Sequence, residues 1–105
     1  MKKLELELLV NKNRISYCKA DGCYTEIIFQ TGQRKTVCIN LKKIENLLSN
    51  SDFIRCHHSF IVNYHLIGKI DITNHTLELD SGAIIPISRR RIKDIPDIKK
   101  MLKKK

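Results

Sequence analysis

Ser88 is followed by Arg89, Arg90 and Arg91, and that quartet carries the most specific chemical signal in the chain. Serine is a strong helix N-cap, so Ser88 predicts a short final helix with Ile92, Ile95 and Ile98 at three-residue spacing, confined by Pro96. Cations at a helix start oppose the positive end of the helix dipole, so folding alone does not favour them there. Their planar donor forks suit phosphate oxygens and the N7 and O6 acceptors of guanine, and a nucleic-acid contact resolves the conflict. The plainer alternative pairs one arginine with Asp94 and leaves the others solvated.

A second constellation is Arg55-Cys56-His57-His58-Ser59, which lies between the strand-like Phe53-Ile54 and Phe60-Ile61-Val62 and reads as a loop or strand edge. Histidine and serine there can hydrogen-bond base edges or phosphates, and Arg55 adds a charge. A catalytic Cys-His pair is the sharper competitor. It is disfavoured because adjacent strand residues point to opposite faces and no oxyanion loop is visible. The third constellation, Lys19-Ala20-Asp21-Gly22-Cys23-Tyr24, is a tight connection that presents Lys19 and Tyr24 at its tip or edges. A tyrosine at such a place more commonly packs into its hairpin. No phosphate-binding glycine fingerprint and no scaffolded carboxylate pair is present, so the chain is not expected to be an enzyme.

The elements that must hold these residues are mostly strands. Leu4-Glu5-Leu6-Glu7-Leu8 alternates with period two and predicts a strand, turned by Asn11-Lys12-Asn13 into Arg14 to Cys18 as a first hairpin. Tyr24 to Gln30 and Lys35 to Ile39, joined at Thr31-Gly32, predict a second. Asn40 stands as an N-cap before Leu41, Ile44, Leu47 and Leu48 at helical spacing, a short amphipathic helix to about Asn50 whose apolar stripe belongs to the core. Phe53 to Cys56, Ser59 to Val62, Leu66 to Ile72, Thr76 to Asp80 and Ala83 to Ile87 return to β character, with turns at Thr73-Asn74-His75 and Asp80-Ser81-Gly82.

The chain has 105 residues, enough for one domain and one modest core, and no apolar run long enough to span a membrane. The N-terminus is unlike a signal peptide, so a cytoplasmic location is expected, and with it reduced thiols at Cys18, Cys23, Cys38 and Cys56. A zinc site built on Cys56 and its histidines lacks tight ligand pairing, and no metal or other cofactor is expected. The net charge is +9, of which +7 falls on 87–105. Such polarised charge points to an anionic polymer. The expected organisation is a domain over 1–98 and a basic tail over 99–105, with Lys103, Lys104 and Lys105 acting as a solubilising, nonspecific charge.

Phe53-Ile54-Arg55-Cys56-His57-His58-Ser59-Phe60-Ile61-Val62-Asn63, followed by Ile85-Pro86-Ile87-Ser88-Arg89-Arg90, resembles the paired signature of the LytTR family of bacterial DNA-binding domains. The Asp21-Gly22 and Tyr24 element and the Asn40-Leu41 helix start occur in the same order, so the resemblance runs from about Leu4 to Ile98. It implies a mostly β (α+β), elongated multi-sheet fold with one short central helix and a short C-terminal helix. Loops of such a fold, in place of a recognition helix, enter successive major grooves of double-stranded DNA. By that resemblance base contacts fall at Tyr24, His58 and Arg90, where Arg90 matches directly and Tyr24 and His58 replace the histidine and asparagine of some relatives. Backbone or supporting contacts fall at Arg55, Ser59, Arg91 and Lys93. His57, Lys42 near the helix start, Arg89, and Lys19 at the edge of its tight connection complete the surface.

The family usually carries a receiver or sensor domain upstream, which leaves a standalone regulator and an excised output domain both open, with no receiver aspartate in this sequence. A transcription regulator binding repeated half-sites as two copies is the expected function. A small basic RNA-binding module is the main alternative, since charge and β content do not distinguish the two nucleic acids.

Overall fold

A computed structural model describes residues 3–48 and 52–92. Helix α1 (Lys3–Val10) leads through a 3-10 turn at Lys12–Arg14 into β1 (Ile15–Asp21), β2 (Tyr24–Phe29) and β3 (Arg34–Val37). Helix α2 (Leu41–Leu47) follows, then β4 (Phe53–His57), β5 (Phe60–Asn63), a 3-10 turn at Tyr64–Leu66, and β6 (Ile67–Asp71), β7 (Thr76–Leu79) and β8 (Ile84–Pro86). The strands form two antiparallel sheets, ordered β3-β2-β1-β5-β4 and β6-β7-β8. The described residues extend over 41 × 25 × 21 Å.

At β4 and β5 the five-stranded sheet is buried on both faces, and the alternation of side chains along a strand sorts them into two cores. Phe53 of β4 and Ile61 of β5 join Leu41 and Ile44 from α2, its C-cap Leu48, and Leu8 from α1 on one face. Their chain neighbours Ile54 and Val62 join Ile70, Leu77, Leu79 and Ile85 of the second sheet on the other. Full burial of each such side chain contributes about 1.5 to 3 kcal/mol. Ile15 and Cys18 share the helix-side core although three residues apart. A bulge between Ile15 and Tyr17 inserts one residue and resets the parity.

The N-terminal segment differs from the expected strand, and the first hairpin does not form: Leu4 to Leu8 lie in a helix. Leu and Glu are strong helix formers, and Leu4 and Leu8, four apart, turn to the same core. Glu5 is buried with them because Lys43 Nζ of α2 meets its Oε1 at 2.9 Å. Leu6, which alternation would bury with Leu4 and Leu8, is instead 53% exposed. The central helix stands as expected, with Asn40 Oδ1 accepting from the Lys43 amide at 2.8 Å. The described residues thus hold two α-helices where one was expected. The expected C-terminal helix falls mainly on 93–98, outside the described residues, as do Lys93 and the lysine tail.

Candidate nucleic-acid interface

Three chain segments meet at one end of the five-stranded sheet. Strand β1 reverses into β2 through a two-residue turn, with Asp21 opposite Tyr24. Gly22 there has φ +63, the left-handed value that a type II′ hairpin needs at its first turn position. Strand β4 reverses into β5 through His58-Ser59, with His57 opposite Phe60. The two turns are neighbours because β1 and β5 pair, Lys19 lying opposite Phe60 and the Ala20 amide donating to the Ser59 carbonyl at 2.8 Å. The third segment is fixed beside β4 by the Ser88 amide, which donates to the Cys56 carbonyl at 2.9 Å.

The β4–β5 turn is organised by one arginine. Arg55 Nη1 meets Glu45 Oε1 of α2 at 2.8 Å, Nε donates to the His57 carbonyl at 3.1 Å, and Nη2 donates to the His58 carbonyl at 2.6 Å. Its side chain is 11% exposed, so these charge-assisted bonds form largely out of water. A bulge between Arg55 and His57 makes Cys56 the extra residue, leaving Arg55 on the helix side and Cys56 in the inter-sheet core. His57 Nδ1 accepts from the Ser59 amide at 3.0 Å, and its ring meets Phe60 edge-on at 5.8 Å. Burial, then the positive neighbours His58 and Arg55, holds the His57 pKa below 6.5, which keeps Nδ1 free to accept. His58, its carbonyl held by Arg55, has an exposed side chain.

The Ser88 to Arg91 segment is a single capped turn. The Arg91 amide donates to Ser88 Oγ at 3.2 Å and the Ile92 amide to the Ser88 carbonyl at 3.1 Å, so serine caps as its type predicts. Arg89 and Arg90 are exposed and Arg91 is half-buried, close enough to Cys56 for its charge to act on that thiol. Ile87 in the inter-sheet core anchors the segment on its N-terminal side.

Tyr24 is 48% exposed at the edge of its turn, unlike the packed tyrosine that is commoner in hairpins. Lys19 is exposed on β1, and Lys42 on α2. Lys42 lines a shallow cleft of about 450 Å³ together with Asn46, Arg55 and His58, which brings the helix to the β4–β5 turn. Sequence reasoning missed Asn46 and Glu45. Asn46 follows Lys42 by four residues, the spacing that places two side chains on one helix face, and so had a legible signal. Glu45 meets Arg55 across a gap of ten residues, and no local pattern announces that pairing.

The geometry weakens the thiol and zinc alternatives. Cys18 and Cys56 lie in different cores on opposite faces of the sheet. Burial pushes both thiols up to about 12, which disfavours the thiolate that a nucleophile requires. Among the described residues no three His, Cys, Asp or Glu side chains are grouped to hold a metal ion. Likewise, no helix of the described residues is long and apolar enough to cross a membrane.

Residues 7–101 match the LytTr DNA-binding domain family. The chain is 40% identical over 63 residues to the sensory transduction protein LytT of Bacillus subtilis (strain 168), covering 57% of this chain and 26% of that protein. It is 28% identical over 98 residues to LytT of Oceanobacillus iheyensis, covering 89% of this chain and 40% of that protein. The matched segments thus span well under half of these curated relatives. In structure the chain is similar to the LytTr DNA-binding domain of a putative methyl-accepting/DNA response regulator from Bacillus cereus. The TM-score is 0.71 at 30% identity, covering 86% of this chain and 82% of that one.

Proposed function

The chain belongs to the LytTr DNA-binding domain family, and from that premise we propose that it is a sequence-specific, double-stranded-DNA-binding transcription regulator that reads the major groove with turns. The observation that carries this reading is the convergence of the β1–β2 turn, the β4–β5 turn and the Ser88 to Arg91 segment on one end of a sheet. Each offers an exposed side chain able to reach a base edge: Tyr24, His58 and Arg90. Arg90 suits guanine N7 and O6 through its paired donors, and the Tyr24 hydroxyl and His58 imidazole can each donate or accept one bond. Lys19, Lys42, Arg89, Arg91 and Lys93 supply charge toward phosphates, which fixes orientation without selecting sequence.

Arg55, His57 and Ser59 act as supports. Arg55 spends its fork on two turn carbonyls and Glu45, and His57 spends Nδ1 on the Ser59 amide. They hold His58 in place so that base contact costs little ordering, the general route by which preorganisation raises affinity. Two copies occupy half-sites about one helical turn, roughly 10 base pairs, apart.

Selection from randomised duplex DNA tests this directly. The expected result is enrichment of a direct repeat with that spacing, bound with steep salt dependence. Absence of enrichment above background would sink the sequence-specific reading, and preferential retention of structured RNA in competition would replace it with RNA binding.

A further inference from the structure

A cleft of about 750 Å³ lies at the other end of the five-stranded sheet from the reading turns, where β1 begins and β2 ends. Its volume is in the range of small-molecule sites. Phe29, half-buried, forms part of its wall, and Arg14, Arg34 and Lys35 bring three cations to its lining. The two lips are tied by bonds that do not involve those charges. The Gln30 amide donates to the Arg14 carbonyl at 2.8 Å and Gln30 Nε2 donates to the Asn13 carbonyl at 2.7 Å. The shape of the cleft therefore survives when a cation turns to a ligand.

The cations are available. Arg34 Nη1 meets Glu26 at 3.2 Å and Lys35 Nζ meets Glu7 at 3.1 Å, both as exposed pairs, which are weak in water. One such contact leaves most of the five Arg34 donors unused. Arg14 makes no side-chain hydrogen bond or ion pair among the described residues.

We propose that this cleft binds a small phosphorylated ligand with a flat, partly apolar body, the chemical class of a nucleoside monophosphate. Arg14 and Arg34 take the phosphate through their donor forks, Phe29 packs against the flat body, and the side chains of Asn13 and Gln33 meet its polar edges. The site is remote from Tyr24, His58 and Arg90, so ligand and DNA occupy the chain together.

Separate calorimetric and amide-NMR titrations of this chain with adenosine 5′-monophosphate, inorganic phosphate and adenosine test the assignment. Adenosine monophosphate is expected to saturate, to move the Arg14, Phe29 and Gln30 amides, and to bind at least about tenfold more tightly than phosphate or adenosine alone. Arg14→Ala and Arg34→Gln, both at exposed side chains, should each weaken it by about tenfold while duplex DNA affinity stays within about twofold. The proposal is overturned by lack of saturation, by phosphate binding as tightly as the nucleotide, by shifts at Arg89 to Arg91 in place of the cleft, or by unchanged binding in both variants. Because duplex affinity is read in parallel, failure here leaves the DNA-binding reading to stand or fall separately.

Discussion

The β4–β5 turn and the Ser88 to Arg91 segment sit side by side, yet the first adds a network of charged and polar side chains to its strand pairing, whereas the second rests on backbone bonds, one serine hydroxyl and the Ile87 anchor. In the first, a nearly buried guanidinium grips two carbonyls and a helix carboxylate, and a histidine nitrogen holds the next amide. In the second, a serine caps a single turn, one backbone bond ties it to β4, and Arg89 and Arg90 project without partners among the described residues. The difference teaches that a basic residue near the proposed reading surface can serve opposite ends. Arg55 has spent its donors on structure, whereas Arg90 has kept them.

That contrast can be broken by substitution. Arg55→Ala is expected to have the largest effect, lowering folding stability by about 2 to 4 kcal/mol and weakening DNA binding, because three charge-assisted bonds vanish at once. Chemical denaturation and duplex titration measure both. Arg55→Lys should rescue little, since a point charge cannot span Glu45 and two carbonyls. Stability unchanged in either variant would erase the distinction between the segments.

Arg90→Ala should do the reverse. It is expected to cost about 1 to 3 kcal/mol of binding and to relax preference at one base pair, with stability altered by less than about 0.5 kcal/mol. A matched loss of stability would show that Arg90, too, is structural. Next in size, Asn40→Ala removes the cap of the helix that carries Glu45 and should cost about 1 kcal/mol in a denaturation midpoint assay. A loss of DNA affinity larger than that of stability would sharpen the comparison, because it would trace the β4–β5 turn's order back through Arg55 to α2.

The smallest effect concerns pH. The folded pKa of His57 lies below 6.5, so as pH falls the unfolded chain takes up this proton before the folded one. The contribution is therefore present above about 6.5 and is lost as pH falls through the folded pKa. Protonation also removes the acceptor of the Ser59 amide. Wild type should lose more stability between about pH 7.5 and about pH 5.5 than His57→Gln, and equal losses would place the pH response elsewhere.

Much of the architecture was legible because it rests on local chemistry. Asn40, Gly22 and Ser88 each do what their residue type does at a cap or tight turn. The five expected β segments after Ser51 match β4 to β8 within a residue or two at most ends, since apolar runs there are bounded by strong turn formers. Leu4 to Leu8 misled because period two and period 3.6 agree at a four-residue interval: Leu4 and Leu8 share a face in either structure. Leu6 and Glu5 separate the two: Leu6 turned outward and Glu5 inward. For Arg55 the sequence made a charge near the site visible but not its use, because Glu45 and the His57 and His58 carbonyls converge on it only once α2 docks against β4.

Residue types and spacing by themselves determined a mostly β chain, a capped central helix, three turn-borne clusters of polar side chains, and a positive charge concentrated near the C-terminus. These follow from backbone preferences and periodicity, which act within a few residues. The tertiary structure alone decided that β1 pairs with β5, which sets the Tyr24 turn beside the His58 turn. It also decided that β4 and β5 bury both faces and that Arg55 turns inward while Arg90 stays outside. Those outcomes depend on partners distant in sequence, where the gain from burial and charge-assisted bonding outweighs the cost of closing long loops.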